Sequence, residues 1–347
     1  MRFSDFPVAK RKQKNRELKI LLANRARGQF HSIEELFSNI TRAFPRGVNS
    51  EVVAAPCGRV NLGAMLANLL WLRSWGACDL IHQTGDIHYA ILGVWRCPVV
   101  LTIHDLRFIE EAHGFKRLLF WWFWLYLPCL RATQVTVISE FTKARLQALC
   151  PIKPEKMRVI PNCVAPEYAP IPKKWPTGKV RLLQVGATDN KNLSRVVEAC
   201  VGLPIQLSIL GKLTPAQRDQ LDRQSVDYVE FNGLPKDQVV ALYVASDLVI
   251  FVSTYEGFGM PILEAQAVGR PVLTSDLSPM REVAGGGALL VDPFSVADIR
   301  SGLLRLMEDT GLRDELVSAG FRNVRQYSAT AVAEQYAAVY RQVIGRS

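Results

Sequence analysis

Three features are scarce or missing in this 347-residue chain, and each absence narrows the class of protein. Residues 1 to 17 are mostly polar, so a secretory signal peptide with its apolar core is not expected. The seven cysteines include no Cys-x-x-Cys pair, and an odd number cannot all be bridged within one chain, which favours reduced thiols in the cytoplasm. His31, His82, His88 and His113 have no metal-ligand spacing, so no metal site is predicted.

No apolar run in the sequence is long enough to cross a bilayer. The longest, 118–130 (LLFWWFWLYLPCL), falls short of the roughly 20 residues that a spanning helix needs, and Pro128 interrupts it. Its content of tryptophan, phenylalanine and tyrosine is nevertheless high, and such rings favour the boundary between lipid headgroups and water. The range Lys116 to Leu127 therefore has two interpretations, an interfacial helix on an anionic membrane or a buried helix between sheet and solvent.

The net charge of +10 is concentrated near the N-terminus. Residues 1 to 50 carry eleven basic and four acidic side chains, an excess of seven positive charges. The basic residues are Arg2, Lys10, Arg11, Lys12, Lys14, Arg16, Lys19, Arg25, Arg27, Arg42 and Arg46. Such a basic face suits binding to anionic lipid, a phosphate-bearing acceptor or nucleic acid. It is explained equally well as a solvated surface that aids solubility. We expect no nucleic-acid partner.

Short runs rich in valine, isoleucine and leucine alternate with helix-length segments, which is typical of a parallel sheet covered by helices. The first half has such runs at Leu18–Asn24, Leu80–Gln83, Val99–His104, Val135–Ser139 and Arg158–Pro161. The second half has them at Val180–Gly186, Gln206–Gly211, Tyr228–Phe231, Leu248–Ser253, Pro271–Thr274 and Leu289–Val291. The sequence therefore predicts an α/β protein with two Rossmann-like, doubly wound parallel-sheet domains.

The break between the two domains is marked by proline. Pro166, Pro170, Pro172 and Pro176 forbid regular helix and central strand, so residues 166–179 are predicted to be a linker. The predicted domains are 1–165 and 180–328, and a final helix within 329–347 is expected to pack back on the first domain. Ligands of doubly wound sheets lie outside the carboxyl ends of the strands, so the two domains are expected to face each other across a ligand-binding cleft.

The stretch 252–283 (VSTYEGFGMPILEAQAVGRPVLTSDLSPMREV) is the most informative one for chemistry. It predicts a buried strand, the turn Glu256–Gly259, and a helix with Pro261 in its first turn. Backbone amides of such a turn and helix start form an anion site. Glu256 and Glu264 flank it, and a carboxylate accepts paired hydrogen bonds from the vicinal hydroxyls of a sugar. Glutamates eight positions apart are common by chance, and taken alone the two are better explained as a turn residue and a helix N-terminal carboxylate.

Several further motifs occur in the same order, and together the pattern resembles the retaining glycosyltransferases of family 4, which have the two-domain GT-B fold. Glu256 and Glu264 match the family's pair of glutamates with seven residues between them. The resemblance covers most of the chain. Its other landmarks are Gln184-Val185-Gly186, Asn190-Lys191-Asn192-Leu193, Thr102-Ile103-His104-Asp105, Val137-Ile138-Ser139-Glu140, Val159-Ile160-Pro161-Asn162, Pro271-Val272 and Ser278 to Val283.

The resemblance implies roles for individual residues. Glu256, His104 and Lys191 are implied as catalytic residues, with a neutral His104 contacting the donor sugar. The implied donor-binding residues are Gly186, Lys191, Lys212, Gly257, Phe258, Gly259, Met260, Pro261 and Glu264. The loop with Arg25, Arg27 and Gly28 either meets an acceptor or phosphate or is an ordinary strand-to-helix loop.

One position departs from the family pattern. Many members carry arginine directly after the glycine of the strand–turn motif, but here Ala187 follows Gly186. The charge of a bound diphosphate would then rest mainly on Lys191. A second cation would have to come from Arg25, Arg27, Lys212 or Arg281.

The resemblance implies a retaining transferase that moves a mannose-type or similar hexose from a GDP- or UDP-linked donor to a glycan or lipid-linked acceptor in bacterial polysaccharide synthesis. The sequence contains no Asp-x-Asp pair to hold a divalent cation on the diphosphate, so we expect neither metal nor cofactor. The expected location is the cytoplasm, peripheral on the inner face of the membrane. The alternatives are a sugar-nucleotide epimerase or hydrolase of the same fold, and a non-catalytic basic membrane-binding protein.

Overall fold

Two six-stranded sheets, with parallel pairing throughout, form the frame of the protein. The computed structural model describes residues 17–26, 32–59, 61–75 and 78–345. The strands of the first sheet are β1 (Leu18–Asn24), β2 (Val48–Ala54), β3 (Leu80–Gln83), β4 (Val99–Ile103), β5 (Gln134–Val137) and β6 (Met157–Val159). Those of the second are β7 (Val180–Val185), β8 (Ile205–Leu210), β9 (Tyr228–Phe231), β10 (Leu248–Phe251), β11 (Val272–Ser275) and β12 (Leu289–Val291).

Helices connect the strands and cover both sheets. Those of the first half are α1 (Ser32–Arg42), α2 (Leu62–Ser74), α3 (Arg107–Glu110), α4 (Gly114–Phe120), α5 (Leu127–Arg131) and α6 (Glu140–Leu149). Those of the second half are α7 (Leu193–Cys200), α8 (Pro215–Arg223), α9 (Lys236–Ala245), α10 (Met260–Val268), α11 (Met280–Ala284), α12 (Val296–Glu308), α13 (Thr310–Val324) and α14 (Ala329–Ile344). Among these helices of the described ranges, none is long and apolar enough to cross a membrane.

The strand order confirms the predicted doubly wound class. The first sheet has the order β2-β1-β3-β4-β5-β6 and the second β12-β11-β10-β7-β8-β9. The order therefore reverses between β1 and β3 in the first sheet and between β7 and β10 in the second. A crevice opens at such a switch point, at the carboxyl ends of the strands, and ligands of doubly wound folds bind there.

The sequence prediction missed strand β2. Its residues Asn49, Ser50 and Glu51 interrupt the apolar run that marks a buried strand, and Val52 is about half exposed. β2 pairs with β1 from the edge of the sheet, where one side of the strand has no neighbour. The alternation expected of a half-buried strand is therefore weak at this position.

The last helix, α14, crosses back from the second domain and packs on the first sheet. Tyr336, Tyr340 and Val332 join a core with Ile20 of β1 and Phe37 of α1. The Tyr340 hydroxyl lies 2.7 Å from Nδ1 of His82, a residue of β3. The other ring nitrogen of His82 lies 2.7 Å from the hydroxyl oxygen of Thr102 on β4. The buried His82 thus links two central strands to the C-terminal helix.

Acid is expected to destabilise the protein partly through His82. Burial lowers its pKa to about 3, so the neutral ring contributes stability that is complete above about pH 6.5 and is lost as the pH falls towards 3. In wild type, the free energy of unfolding should fall more steeply between pH 7 and pH 5 than in His82→Gln, by up to roughly 1.4 kcal/mol per pH unit. Urea unfolding at several pH values measures the slopes. His113→Gln, on an exposed histidine, should keep the wild-type slope, and equal slopes in all three proteins would contradict the assignment.

Candidate active site

A lysine and a glutamate form an ion pair at the switch point of the second sheet. Nζ of Lys191 lies 2.6 Å from Oε1 of Glu256, and both side chains are mostly buried. The ammonium also lies 4.6 Å from the ring centre of Phe251, the last residue of β10. Gly186, which follows β7, has a φ of +90°, and a Cβ there would lie 2.7 Å from Cγ of Lys191. A glycine is therefore required both for the turn and for the path of the lysine side chain.

Backbone contacts fix this pair in place. The side-chain amide of Asn190 donates to the carbonyl of Tyr255 at 3.0 Å and to Oε1 of Glu256 at 3.3 Å. The backbone amide of Thr254 donates to the carbonyl of Asn190 at 2.8 Å. The side chain of Gln184, on β7, donates to the carbonyl of Lys191 at 2.9 Å. The turns after β7 and β10 are thus tied to each other, which preorganises the charged pair.

The turn continues into α10 through a glycine whose backbone conformation strongly disfavours any residue with a side chain. Gly259 has a φ of +123° and directly precedes the first helical residue, Met260. The side chain of Phe258 is buried in the core of the second domain, so only its backbone faces the cleft. Met260 and Pro261 are half-buried at the helix start. The predicted anion site is therefore a backbone surface at the amino end of a nine-residue helix.

Glu264 lies further along α10, half-buried, and accepts a hydrogen bond from the Tyr243 hydroxyl. Burial raises the pKa of this carboxyl, while Tyr243 and the nearby Lys236 counteract the effect. Its charged form is therefore destabilised in the protein alone, and hydrogen bonds from ligand hydroxyls would stabilise it.

The first domain contributes a neutral histidine. His104 follows β4, and its Nε2–H donates to the carbonyl of Thr84 at 2.8 Å. Burial lowers its pKa, so the ring is uncharged near neutral pH and Nδ1 is left as the acceptor nitrogen. A Cβ on Gly85 would lie 3.0 Å from Cδ2 of His104, so this glycine makes room for the ring. Nδ1 can therefore accept a hydrogen bond from a hydroxyl group.

The two domains meet at the turn that carries Glu256. A Cβ on Gly257 would lie 2.9 Å from the carbonyl oxygen of His104. The Ser139 hydroxyl, at the start of α6, donates to the carbonyl of Gly257 at 3.0 Å. His104, Glu256 and Lys191, predicted as catalytic residues, are therefore brought to one place in the cleft.

A second contact between the domains was not foreseen from the sequence. The Tyr255 hydroxyl donates to Oε2 of Glu110 at 2.9 Å, and Glu110 also pairs with Arg145. The Tyr255 ring packs edge-on against Phe141. In the sequence, the position of Tyr255 directly before Glu256 was the only indication that its side chain contributes to the site. The bond to Glu110 holds the functional turn against the first domain.

The other predicted binding residues are paired with carboxylates, exposed, or outside the described residues. Arg25 is buried and pairs with Glu34 and Asp86, two carboxylates of its own domain. Arg281 pairs with Asp276. Lys212 is exposed shortly after β8 and follows Gly211, which lies against the turn at Gly186 and Ala187. Arg27 and Gly28 lie outside the described residues.

The site can hold an anion and a sugar in one arrangement. Lys191 and the amino end of α10 supply positive charge at the switch point, where a diphosphate binds in doubly wound folds. Glu256, Glu264 and His104 supply hydrogen-bond acceptors on both sides of that charge. Two facing doubly wound domains with such a cleft form the GT-B fold, the class to which many glycosyltransferases belong.

Two family models place the chain within that class. The model described as "Glycosyltransferase Family 4" matches residues 20–168, and the model described as "Glycosyl transferases group 1" matches residues 169–323. The two matches adjoin at the predicted linker and together span both domains. The chain therefore belongs to the family 4, group 1 glycosyltransferases.

Named relatives and a solved structure agree with this assignment. The O-antigen chain mannosyltransferase B of Escherichia coli is 35% identical over 95 residues, which are 27% of this chain and 25% of that protein. The MMP alpha-(1->4)-mannosyltransferase of Mycolicibacterium hassiacum is 26% identical over 90% of this chain and 79% of its own length. HepE of Anabaena, solved with UDP and glucose, has a TM-score of 0.75 at 16% identity, over 94% of this chain and all of that chain. The match to the E. coli enzyme thus spans about a quarter of its length, and the likeness to HepE shows the fold.

Proposed function

We propose that this protein is a retaining, metal-independent hexosyltransferase. It transfers a mannose-type or similar hexose from a nucleoside-diphosphate sugar to a glycan or lipid-linked glycan in bacterial polysaccharide synthesis. The observation that carries the proposal is the Lys191–Glu256 pair at the switch point of the second domain, opposite the neutral His104 of the first. An anion site and sugar-binding acceptors meet there between two domains.

In the proposed reaction the bond between the anomeric carbon and the donor's diphosphate breaks, and a bond from that carbon to the acceptor oxygen forms on the same face. The proton of the acceptor hydroxyl passes to an oxygen of the leaving diphosphate. Lys191 and the amino end of α10 stabilise the negative charge that develops on the leaving group, which replaces the role of a metal ion. Glu256 and His104 hold the hydroxyls of the transferred hexose, and Glu264 holds the ribose.

The choice of a mannose-type donor is supported by the names of the two relatives, which are both mannosyltransferases. The name of the E. coli relative refers to an O-antigen chain and supports a glycan acceptor. We further propose that the protein acts at the inner face of the cell membrane, where lipid-linked glycans are extended.

An acceptor-dependence assay tests the proposed function. Purified protein is incubated with GDP-mannose or UDP-hexoses in EDTA, with and without a lipid-linked or short glycan acceptor. Release of the nucleotide and extension of the acceptor are both measured. We expect the two to rise together and only when acceptor is present. Nucleotide release without acceptor, or conversion of the donor sugar, would instead support the hydrolase or epimerase of the same fold.

A further inference from the structure

Three segments of the first domain cover the same face of its sheet. They are α2, the short helix His88–Gly93, and the helical stretch from α4 through a wide helical turn, Trp121–Tyr126, to α5. Tyr89 lies between the two outer segments. Its hydroxyl accepts a hydrogen bond from Asn68 of α2 at 2.8 Å, and its ring contacts Trp124 at 4.7 Å between centres. The segments therefore form one continuous side of the domain.

The outward side chains of these segments are large and apolar. On α2 they recur every four residues, so they form one stripe along the helix. Along the aromatic helical stretch they recur with the same helical spacing. They are Leu62, Leu66, Leu70, Trp95, Phe115, Leu118, Leu119, Trp122, Phe123 and Leu130, all exposed, with Leu62 at 86% and Trp95 at 76%. Soluble surfaces rarely carry contiguous apolar area on this scale without a partner.

The same helices have a separate inner side that holds the domain together. Leu72 and Leu125 are fully buried in the core. Trp121 stacks on Tyr126 and donates its indole N–H to the carbonyl of Leu149 at 2.7 Å. One side of the aromatic stretch is thus buried, as one of the two interpretations requires, and the other side is exposed, as the interfacial interpretation requires. Trp121 belongs to the packed side and Trp122 to the exposed side.

The charged side chains carried by the three segments and their flanking residues have a single sign. Five exposed cations border the apolar side chains: Arg59, Arg73, Arg96, Lys116 and Arg117. The chain contains no aspartate or glutamate in residues 54–78, 87–104 or 112–139, which include all three segments. Such a combination of exposed aromatic rings, leucines and cations without acidic residues is what an anionic lipid surface attracts.

We propose that this surface, formed by α2, Trp95 and the outer side of residues 114–131, docks the protein on an anionic bilayer. The leucines enter the boundary of the hydrocarbon, the tryptophans lie at headgroup level, and the cations meet lipid phosphates. A second copy of the chain is disfavoured as the occupant, because a two-fold contact would set the same five cations against each other. The inference rests on the proposed function, since it places the cleft near a lipid-linked acceptor.

Vesicle co-sedimentation tests the proposal on the full-length protein. Vesicles of phosphatidylcholine are compared with vesicles of equal parts phosphatidylcholine and phosphatidylglycerol. We expect binding to the anionic vesicles that weakens as salt is added. The variant Leu66→Ser/Leu70→Ser/Trp122→Ser and the variant Arg73→Glu/Arg96→Glu/Arg117→Glu should each lose binding by about tenfold or more.

Matched controls separate docking from folding and from catalysis. Val201→Ser/Val229→Ser removes exposed apolar side chains of the second domain and should bind vesicles as wild type does. Donor affinities of all variants should stay at the wild-type values, because none of the changed residues contacts the cleft, and an unchanged affinity shows that a variant is folded. The charge variant should also keep the wild-type melting temperature, whereas the serine variant loses the ring contacts of Trp122 with Trp121 and Tyr126 and should melt at a lower temperature. Wild-type binding by both surface variants, or self-association of the protein that the serine variant abolishes, would overturn the proposal. Intact vesicle binding by a protein that binds no donor would contradict the proposed function and leave the docking surface standing.

Discussion

Replacing Glu256 by glutamine is expected to lower the rate of sugar transfer by about 10²–10³-fold while the fold stays intact. The carboxylate accepts the Lys191 ammonium and the Asn190 amide, and the turn that carries it contacts the first domain. In the proposed reaction it would hold the hexose as charge develops, and a neutral amide is a weaker acceptor at this step. Steady-state kinetics with a saturating donor measure the loss in kcat.

A matched control for this change is Glu140→Gln. Glu140 is an exposed glutamate on α6 that also pairs with a lysine, Lys143, at 3.0 Å. The resemblance counts Glu140 among its landmarks but implies no binding or catalytic role for it, so its loss should leave kcat unchanged. The free energy of unfolding of the Glu256 variant should lie within about 1 kcal/mol of the wild-type value, because both members of the ion pair keep some contact with solvent. Wild-type turnover by Glu256→Gln would show that Glu256 has no part in the transfer reaction.

Replacing Lys191 by methionine is expected to weaken donor binding more than any other single change in the cleft. The lysine would give the diphosphate a charge-assisted hydrogen bond worth about 1.5–3 kcal/mol, which corresponds to roughly 10–150-fold in Kd. Methionine keeps much of the side chain's apolar packing against Phe251 and removes the charge. Isothermal titration with the nucleotide product measures the affinity.

Two further variants sharpen the result for Lys191. Gly186→Ala should weaken donor binding in the same direction, because the new Cβ displaces the lysine side chain and the φ of +90° disfavours alanine. Lys179→Met, on an exposed lysine paired with Asp227 at the opposite end of β7, should have no effect. Lys212→Met shows whether the second cation comes from β8. Equal affinity in wild type and Lys191→Met would contradict the proposed diphosphate site.

Most strands were predictable because they are buried on both sides. β4 and β10 read as continuous apolar runs, and any α/β arrangement must place such runs in the interior of a sheet. β2 was missed for the converse reason, since an exposed edge strand has no apolar run. The exposed stripe on α2 was also missed, because leucines at helical spacing usually indicate the buried side of a helix.

The local chemistry of the site was predictable, and its contacts between domains were not. Gly186, Lys191 and Glu256 lie in two short stretches whose spacing is specific, and each turn is built by neighbouring residues. The bond from Tyr255 to Glu110 joins positions 145 residues apart, and nothing in either stretch indicates the other. The pairing of Arg25 with Glu34 and Asp86 likewise depends on the tertiary fold.

The most direct test of the central claim is a thermal-shift screen of the purified protein against GDP, UDP, ADP and dTDP and their sugars, with EDTA present throughout. A ligand that binds the native state raises the melting temperature by an amount that grows with the logarithm of the ratio of its concentration to its Kd. We expect at least one nucleotide sugar to stabilise the wild-type protein without metal and to stabilise Lys191→Met far less. No shift with any nucleotide or nucleotide sugar, or an equal shift in both proteins, would contradict a donor site at the Lys191–Glu256 pair.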